Sequence, residues 1–293
     1  MRIVLHARAR LDLAYDSLNG LSVGDALGAQ FFMVGRSLSD LVAGKPPRGP
    51  WEWTDDTEMA CNLVAELRDH GDIDRDRLAA TFAHRCEPYR GYGAGAFTIL
   101  RKIRQGTPWK EAAGSAFNGQ GSCGNGAAMR IAPLGAYFVN EPETLTAQAI
   151  RASEVTHQHP EGIAGGVAVA HAAAIAARAR LTGTGRDLLG GVLDHLEENS
   201  FVHKGIEKAR KIRTAEEAAY VLGNGSRVTA QDTVPFTLWV AAHHLDDYRK
   251  AVTTCVQAGG DVDTTAAIVG GIVGRPPLEW VAEREELPDW VRR

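Results

Sequence analysis

Helical periodicity most limits what this chain can fold into. Met59, Ala60, Leu63, Val64 and Leu67 make an i, i+1, i+4, i+5, i+8 apolar stripe, the pattern of one buried helix face. The same repeat predicts helices over Leu78 to Ala83, Phe97 to Ile103, Glu143 to Ile150, Gly162 to Arg180, Leu188 to Leu196 and Glu216 to Leu222. It returns over Pro235 to His244, Tyr248 to Gln257 and Thr264 to Val273. Strand-like alternation between turn signals is scarce. An all-α fold is the expectation, and 293 residues are ample for a sizeable core.

Gly and Pro gather between these runs, at 43–50, 91–95 and 119–126. None of these stretches is long or charged enough for a domain linker, so residues 1–293 read as one domain. Cys61, Cys86, Cys123 and Cys255 are scattered without a C-x-x-C pair, which argues against a disulfide scaffold and a structural zinc. The opening residues, Met1 to Arg8, lack the apolar stretch of a signal peptide. Residues 162–177 are Ala/Gly-rich, contain His171 and read as too short to span a bilayer. A cytoplasmic protein that does not engage membranes is expected. The net charge of −4 argues against general nucleic-acid binding and leaves room for a local cationic pocket.

Two acidic clusters carry the chemistry. Thr54-Asp55-Asp56-Thr57 and Asp261-Val262-Asp263-Thr264 each stand where a polar loop gives way to a helix-like run. Capping explains such residues in part: Asp55 with Glu58 fits a capping box, and Asp263 fits the cap of a helix starting near Thr264. A cap needs one acceptor, however, and each cluster brings two carboxylates, which repel unless a cation or proton compensates. Hard oxygen donors of this kind suit Mg²⁺ or Mn²⁺. An EF-hand is excluded, because the sixth and twelfth positions from Asp261 are Ala266 and Ile272, where that loop needs Gly and Glu.

The Gly-rich run from Gly119 to Gly126 reads as a plain loop or as a nest of backbone N–H groups for an anion. It lacks the P-loop pattern. Thr156-His157-Gln158-His159-Pro160 precedes an Ala/Gly-rich run, with Pro160 suited to a first helical position; capping and packing are the default reading there. No Gly-x-Ser-x-Gly elbow occurs, and Cys123 has no evident partner His.

Five ordered segments together resemble a known family: 20–28 (GLSVGDALG), Thr54 to Thr57, 124–130 (GNGAAMR), Thr156-His157 and Gly260 to Thr264. In order and content they are similar to the ADP-ribosylglycohydrolases, which include the dinitrogenase-reductase-activating glycohydrolases, and the likeness runs from about residue 20 to residue 274. The resemblance implies an orthogonal all-α bundle with a binuclear metal cleft. It implies hydrolysis of the glycosidic bond between ADP-ribose and an acceptor, either a protein side chain or a small conjugate, with two Mg²⁺ or Mn²⁺ ions. Thr54, Asp55, Asp56, Asp261, Asp263 and Thr264 would be the metal ligands. Asp56 or Asp263 would accept a proton in catalysis. Gly121, Ser122, Cys123, Gly124, Asn125 and Gly126 would wrap the diphosphate, and His157 would contact the adenosine or ribose portion.

One position departs from the family pattern. A Glu commonly follows the Asp of the Gly-Asp motif by seven residues, and here that position is Phe32. Seven residues are two α-turns, so Phe32 would share a face with Asp25. Its ring either stacks on a sugar or acceptor, or packs in the core beside Phe31. The alternative function is a non-catalytic reader of ADP-ribose.

Overall fold

Small residues, more than large ones, set how the principal helices meet. The structure, a computed structural model, describes residues 5–184 and 187–292. Met1 to Val4, the first half of the segment read as lacking a signal peptide, lie outside the described residues. The chain begins with α1 (Ala7–Ala29), α2 (Leu38–Val42), α3 (Asp55–His70), α4 (Arg75–Arg85) and α5 (Ala94–Arg104). Short pieces follow: α6 (Trp109–Gly114), α7 (Ala116–Gly119) and α8 (Ala132–Tyr137). Then come α9 (Pro142–Glu154), α10 (Pro160–Thr182), α11 (Leu188–Leu193), α12 (Phe201–Ala209) and α13 (Ala215–Leu222). The order closes with α14 (Ala230–His243), α15 (Tyr248–Ala258), α16 (Val262–Val273) and α17 (Leu278–Glu283). Among the described residues β-pairing is limited to two isolated bridges, Trp51 with Arg284 and Gly124 with Thr229. The all-α expectation holds.

Every run read as helical falls on one of these helices, although the run to Leu196 outlasts α11, which stops at Leu193, and the run from Pro235 to His244 begins inside α14 and ends one residue past it. Two longer helices had no stripe to announce them. In α1 nearly every residue from Ala14 to Gly28 is buried, and a helix covered on all sides needs no polar face. α12 carries its cations on an outer face and is described below. α10 corrects an expectation: it has 23 residues and is long and apolar enough to cross a membrane by length and composition. Most of it is buried inside the protein, against α8, α9, α14 and α16.

Packing of α1 on α16 places the site. Gly20, Gly24 and Gly28 recur every fourth residue, so they form one ridge on α1. A Cβ on Gly28 would lie 2.6 Å from the Val262 carbonyl oxygen and 2.7 Å from the Asp263 Cα. On Gly20 and Gly24 it would come closer still to the carbonyls of Gly270 and Ala266. The two backbones therefore touch along the ridge. This contact brings the start of α16, with Asp261 and Asp263, beside the part of α1 that carries Asp25.

Candidate active site

Asp25 is fully buried on α1 and takes hydrogen bonds from both residues that flank the first acidic pair. Thr54 donates its backbone N–H to Oδ2 at 2.9 Å and its hydroxyl to Oδ1 at 2.8 Å. Thr57 donates its N–H at 3.2 Å and its hydroxyl as well, both to Oδ2. Four charge-assisted bonds thus fix the start of α3 on α1. Burial raises the Asp25 pKa to about 6, against the pull of these donors. In the sequence Asp25 stands only as part of the 20–28 motif, with no role in the site. Its partners are some thirty residues distant, beyond anything that local periodicity reports.

The capping readings fail in their details. The cap of α3 is Thr54, whose Oγ1 accepts the Asp56 N–H at 3.4 Å. Glu58 does not reach back to the helix start. It accepts the Tyr92 hydroxyl at 2.6 Å and the Glu87 N–H at 3.1 Å. α16 begins at Val262, ahead of Asp263, and its cap residue Asp261 makes no side-chain capping bond. Asp55, Asp56 and Asp261 are therefore not consumed in capping.

What remains is crowded negative charge. Burial, then the charge of Asp25, pushes Asp55 up to about 8. Asp56 is raised well above the usual carboxylate range by burial, then by Asp25 and Asp263. Asp263 is raised likewise, by burial and then by Asp261 and Asp25. Asp56 is only 2% exposed, and its Oδ2 has no hydrogen-bond partner. Among the described residues no three acidic, His or Cys side chains converge closely enough to hold a metal ion. The donor set nevertheless fits hard divalent cations: several carboxylates, two threonine hydroxyls and an orphaned buried oxygen. Thr54 Oγ1 donates its hydrogen bond to Asp25 and accepts the Asp56 N–H, which leaves one oxygen lone pair for a cation.

The Gly-rich loop joins this centre through Asn125. Asn125 donates through Nδ2 to Asp261 Oδ2 at 2.7 Å and to Thr233 Oγ1 at 3.1 Å. Its side chain therefore orients a carboxylate, a role absent from the sequence reading. Two loop N–H groups have internal acceptors: Gly124 bonds Ser122 Oγ, and Asn125 bonds the Val228 carbonyl. The Cys123 carbonyl accepts the Ala230 N–H. Gly121 has a φ of 75°, and a Cβ there would lie 2.7 Å from the His159 nitrogen. Only glycine fits that position.

The two histidines separate. His159 caps α10 through Nδ1, with Pro160 in the first turn, as its sequence predicts. His157 is buried under the loop, where a Cβ on Gly126 would meet its Nε2 at 3.0 Å. Its Nδ1 pairs with Thr156 Oγ1 at 2.8 Å, and Arg130 donates to that same oxygen at 2.9 Å. Arg130, fully buried, also bonds the carbonyls of Gly126 and Ala152. It ties loop, α9 and His157 together, which its place in the motif did not reveal. Burial, then the charge of Arg130, lowers His157 to about 3, so the ring is neutral near pH 7.

Phe32 lies outside the core. α1 ends at Ala29, and Gln30–Phe32 form a 3-10 turn, so two α-turns do not separate Asp25 from Phe32. Phe31 packs against the core, whereas Phe32 is 59% exposed. The core-packing reading of Phe32 is overturned. Gln30 is buried and accepts from Arg36 at 2.7 Å; Glu87 is exposed.

The model of one family, ADP-ribosylglycohydrolase, matches residues 6–275. The chain belongs to that family. Among similar proteins, this ADP-ribosylglycohydrolase is 27% identical to the ADP-ribosylhydrolase ARH3 of Gallus gallus, over 93% of this chain and 86% of that one. It is also 27% identical to the ADP-ribosyl-(dinitrogen reductase) glycohydrolase of Rhodospirillum rubrum, over 90% and 85% of the two chains. A solved ADP-ribosylglycohydrolase-related protein complex contains a chain of the same fold, with a TM-score of 0.66 and 26% identity over 91% of this chain and 88% of that one.

Proposed function

We propose that the chain hydrolyses the glycosidic bond joining ADP-ribose to an acceptor, a protein side chain or a small conjugate, with two Mg²⁺ or Mn²⁺ ions. The observation that carries this reading is the orphaned Oδ2 of Asp56, a buried carboxylate raised by burial and then by the charges of Asp25 and Asp263. Family membership supports the bond class. Thr54, Asp55, Asp56, Asp261, Asp263 and Thr264 would hold the cations, which supply Lewis acidity toward ribose hydroxyls and water.

The chain's own groups divide the remaining work. Cleavage at the anomeric carbon develops oxocarbenium character, which a dense carboxylate field favours. A water attacking that carbon must lose a proton. Asp56 is the better acceptor of the two named from sequence, because one oxygen of Asp263 is committed to the Thr264 N–H at 2.8 Å. The loop from Gly121 to Gly126 would cradle the diphosphate, and neutral His157 beneath it would meet the adenosine or ribose portion. Phe32, exposed past the end of α1, would touch the acceptor.

The test is release of ADP-ribose from arginine- and serine-linked conjugates, with Mg²⁺, with Mn²⁺ and with chelator. Metal-dependent release from one conjugate is expected, with Asp56→Asn lowering turnover by about 10³-fold or more. Silence on both linkages, together with tight binding of free ADP-ribose, would replace the hydrolase with a reader. An Asp56→Asn variant as active as the parent would remove the proposed base.

A further inference from the structure

A groove of about 990 Å³ opens between α12, α13 and the start of α14, and none of the six proposed metal ligands lines it. Its charge is opposite to that of the chain. Five cations line it against two carboxylates, Glu207 and Asp232, while the whole chain carries −4. Phe201, Lys204 and Lys208 fall at i, i+3 and i+7, so they share one face of α12, and Lys211 stands in the turn beyond it. Arg227 faces them from the loop before α14.

Three of these cations are not used up inside the protein, and Lys204 donates to the Asn199 carbonyl without meeting a carboxylate. Lys208, Arg210 and Lys211 make no ion pair with any described residue. Arg227 stands 4.0 Å from Asp232, an acid that already accepts the Arg227 backbone N–H. One or two cations at the end of α12 would suffice to answer its carbonyls. Five in one groove exceed that need.

Two aromatic rings flank the charges. Tyr220 is 91% exposed and Phe201 65% exposed, and both line the groove. Lys204 Nζ sits 5.7 Å from the Phe201 ring centroid. Lys208, Arg210 and Lys211, unpaired beside exposed rings, suit a ligand with phosphates and a flat base. An acidic peptide would satisfy the cations and leave the rings without a stacking partner.

The groove's far wall belongs to the proposed active site. Thr229 lines the groove and pairs with Gly124 of the loop. Gly223 also lines it, and two residues on, a Cβ at Gly225 would lie 2.6 Å from the Asp261 Cβ. A ligand there shares one segment, residues 223–232, with the acidic centre.

We propose that this groove is a second binding site, for nucleotide phosphates with the base stacked on Tyr220 or Phe201, free or within a single strand. The site is defined by binding alone, so it stands or falls separately from the hydrolase reading. The test uses fluorescence anisotropy with a labelled decathymidylate and calorimetry with ATP, at about 50 mM and about 200 mM salt. Lys208→Glu/Lys211→Glu is expected to weaken binding about 10-fold or more, and Tyr220→Ala about 3- to 10-fold. Both variants should release ADP-ribose from a small conjugate within about twofold of the parent. ATP that binds and displaces the oligonucleotide identifies a mononucleotide site. Oligonucleotide binding that ATP does not compete identifies a strand. No binding of either at the lower salt, binding unchanged in the double variant, or an oligoglutamate bound as tightly as the oligonucleotide would each overturn the proposal.

Discussion

The two acidic helix starts look alike in sequence and are held in place by different physics. At the start of α3, polarity does the work: Asp25 accepts four hydrogen bonds from Thr54 and Thr57. At the start of α16, absence of bulk does it: the Gly20, Gly24 and Gly28 ridge lets the backbones meet, and the Asn125 amide steadies Asp261. The first arrangement depends on a charge, the second on volume. Each therefore has its own way to fail.

The volume-dependent side should break hardest. Gly24→Val places branched carbon where the Ala266 carbonyl stands, and neither helix can yield without moving core. Overpacking of this kind costs about 1–3 kcal/mol at ordinary sites, and more where backbone blocks it. A loss above about 4 kcal/mol, or failure to fold, is expected. Denaturant unfolding measures it, and a variant within about 1 kcal/mol of the parent would show that the ridge is not a contact of consequence.

Asp25→Ala attacks the charge-dependent side and should come next. Two backbone N–H groups and two hydroxyls lose their acceptor inside the core, at about 3–5 kcal/mol in total. The start of α3 should loosen while α16 stays packed. Amide exchange of Thr54 and Thr57 N–H should accelerate, with the α16 amides slowed as in the parent. Equal acceleration in both helices would dissolve the distinction.

Both sides share one pH signature, because burial raises Asp263 at the start of α16 as it raises Asp25 and Asp55. Asp25 at about 6 and Asp55 at about 8 are raised by burial above the usual carboxylate value. Between the unfolded and folded values the native state holds protons that the unfolded chain has released, so stability falls as pH rises through that window. Above pH 8 the full cost of these buried charges is present. Divalent ions bound by the cluster would offset it. The gap in Tm between metal-loaded and chelated protein should therefore widen from about pH 4 to about pH 8. A gap that stays constant across this range would detach the cations from these carboxylates.

The same contrast explains how far the sequence could be read. Amphipathic helices such as α4, α5 and α9 announce themselves, because one face meets water. α1 has no wet face over most of its length, so it shows no stripe, although it organises the site. The carboxylates of both clusters were legible as residue types at helix starts, and so was the Gly-rich loop. Their orientation was not. Asp25 with Thr54, Asn125 with Asp261, and Arg130 with Thr156 are pairings across tens of residues, and only the packed helices define them. Phe32 misled for a related reason: the count of two α-turns assumed that α1 continues, and it ends at Ala29.

The smallest effect separates orientation from existence at the second start. Asn125→Ala removes one amide donor from Asp261 Oδ2 and leaves the glycine ridge, α16 and all carboxylates in place. Asp261 is partly exposed, so water can replace the lost donor, and the stability cost should stay near 1 kcal/mol. Thr233 Oγ1 loses a partner but still donates to the Thr229 carbonyl at 2.9 Å. Activity should fall further than stability, by about 10-fold, because a misaligned carboxylate acts on cation affinity. Raising Mn²⁺ should restore most of the rate if orientation is all that was lost. A rate that stays low at saturating Mn²⁺ would instead mean that Asn125 touches the substrate, returning it to the diphosphate role that the loop first suggested.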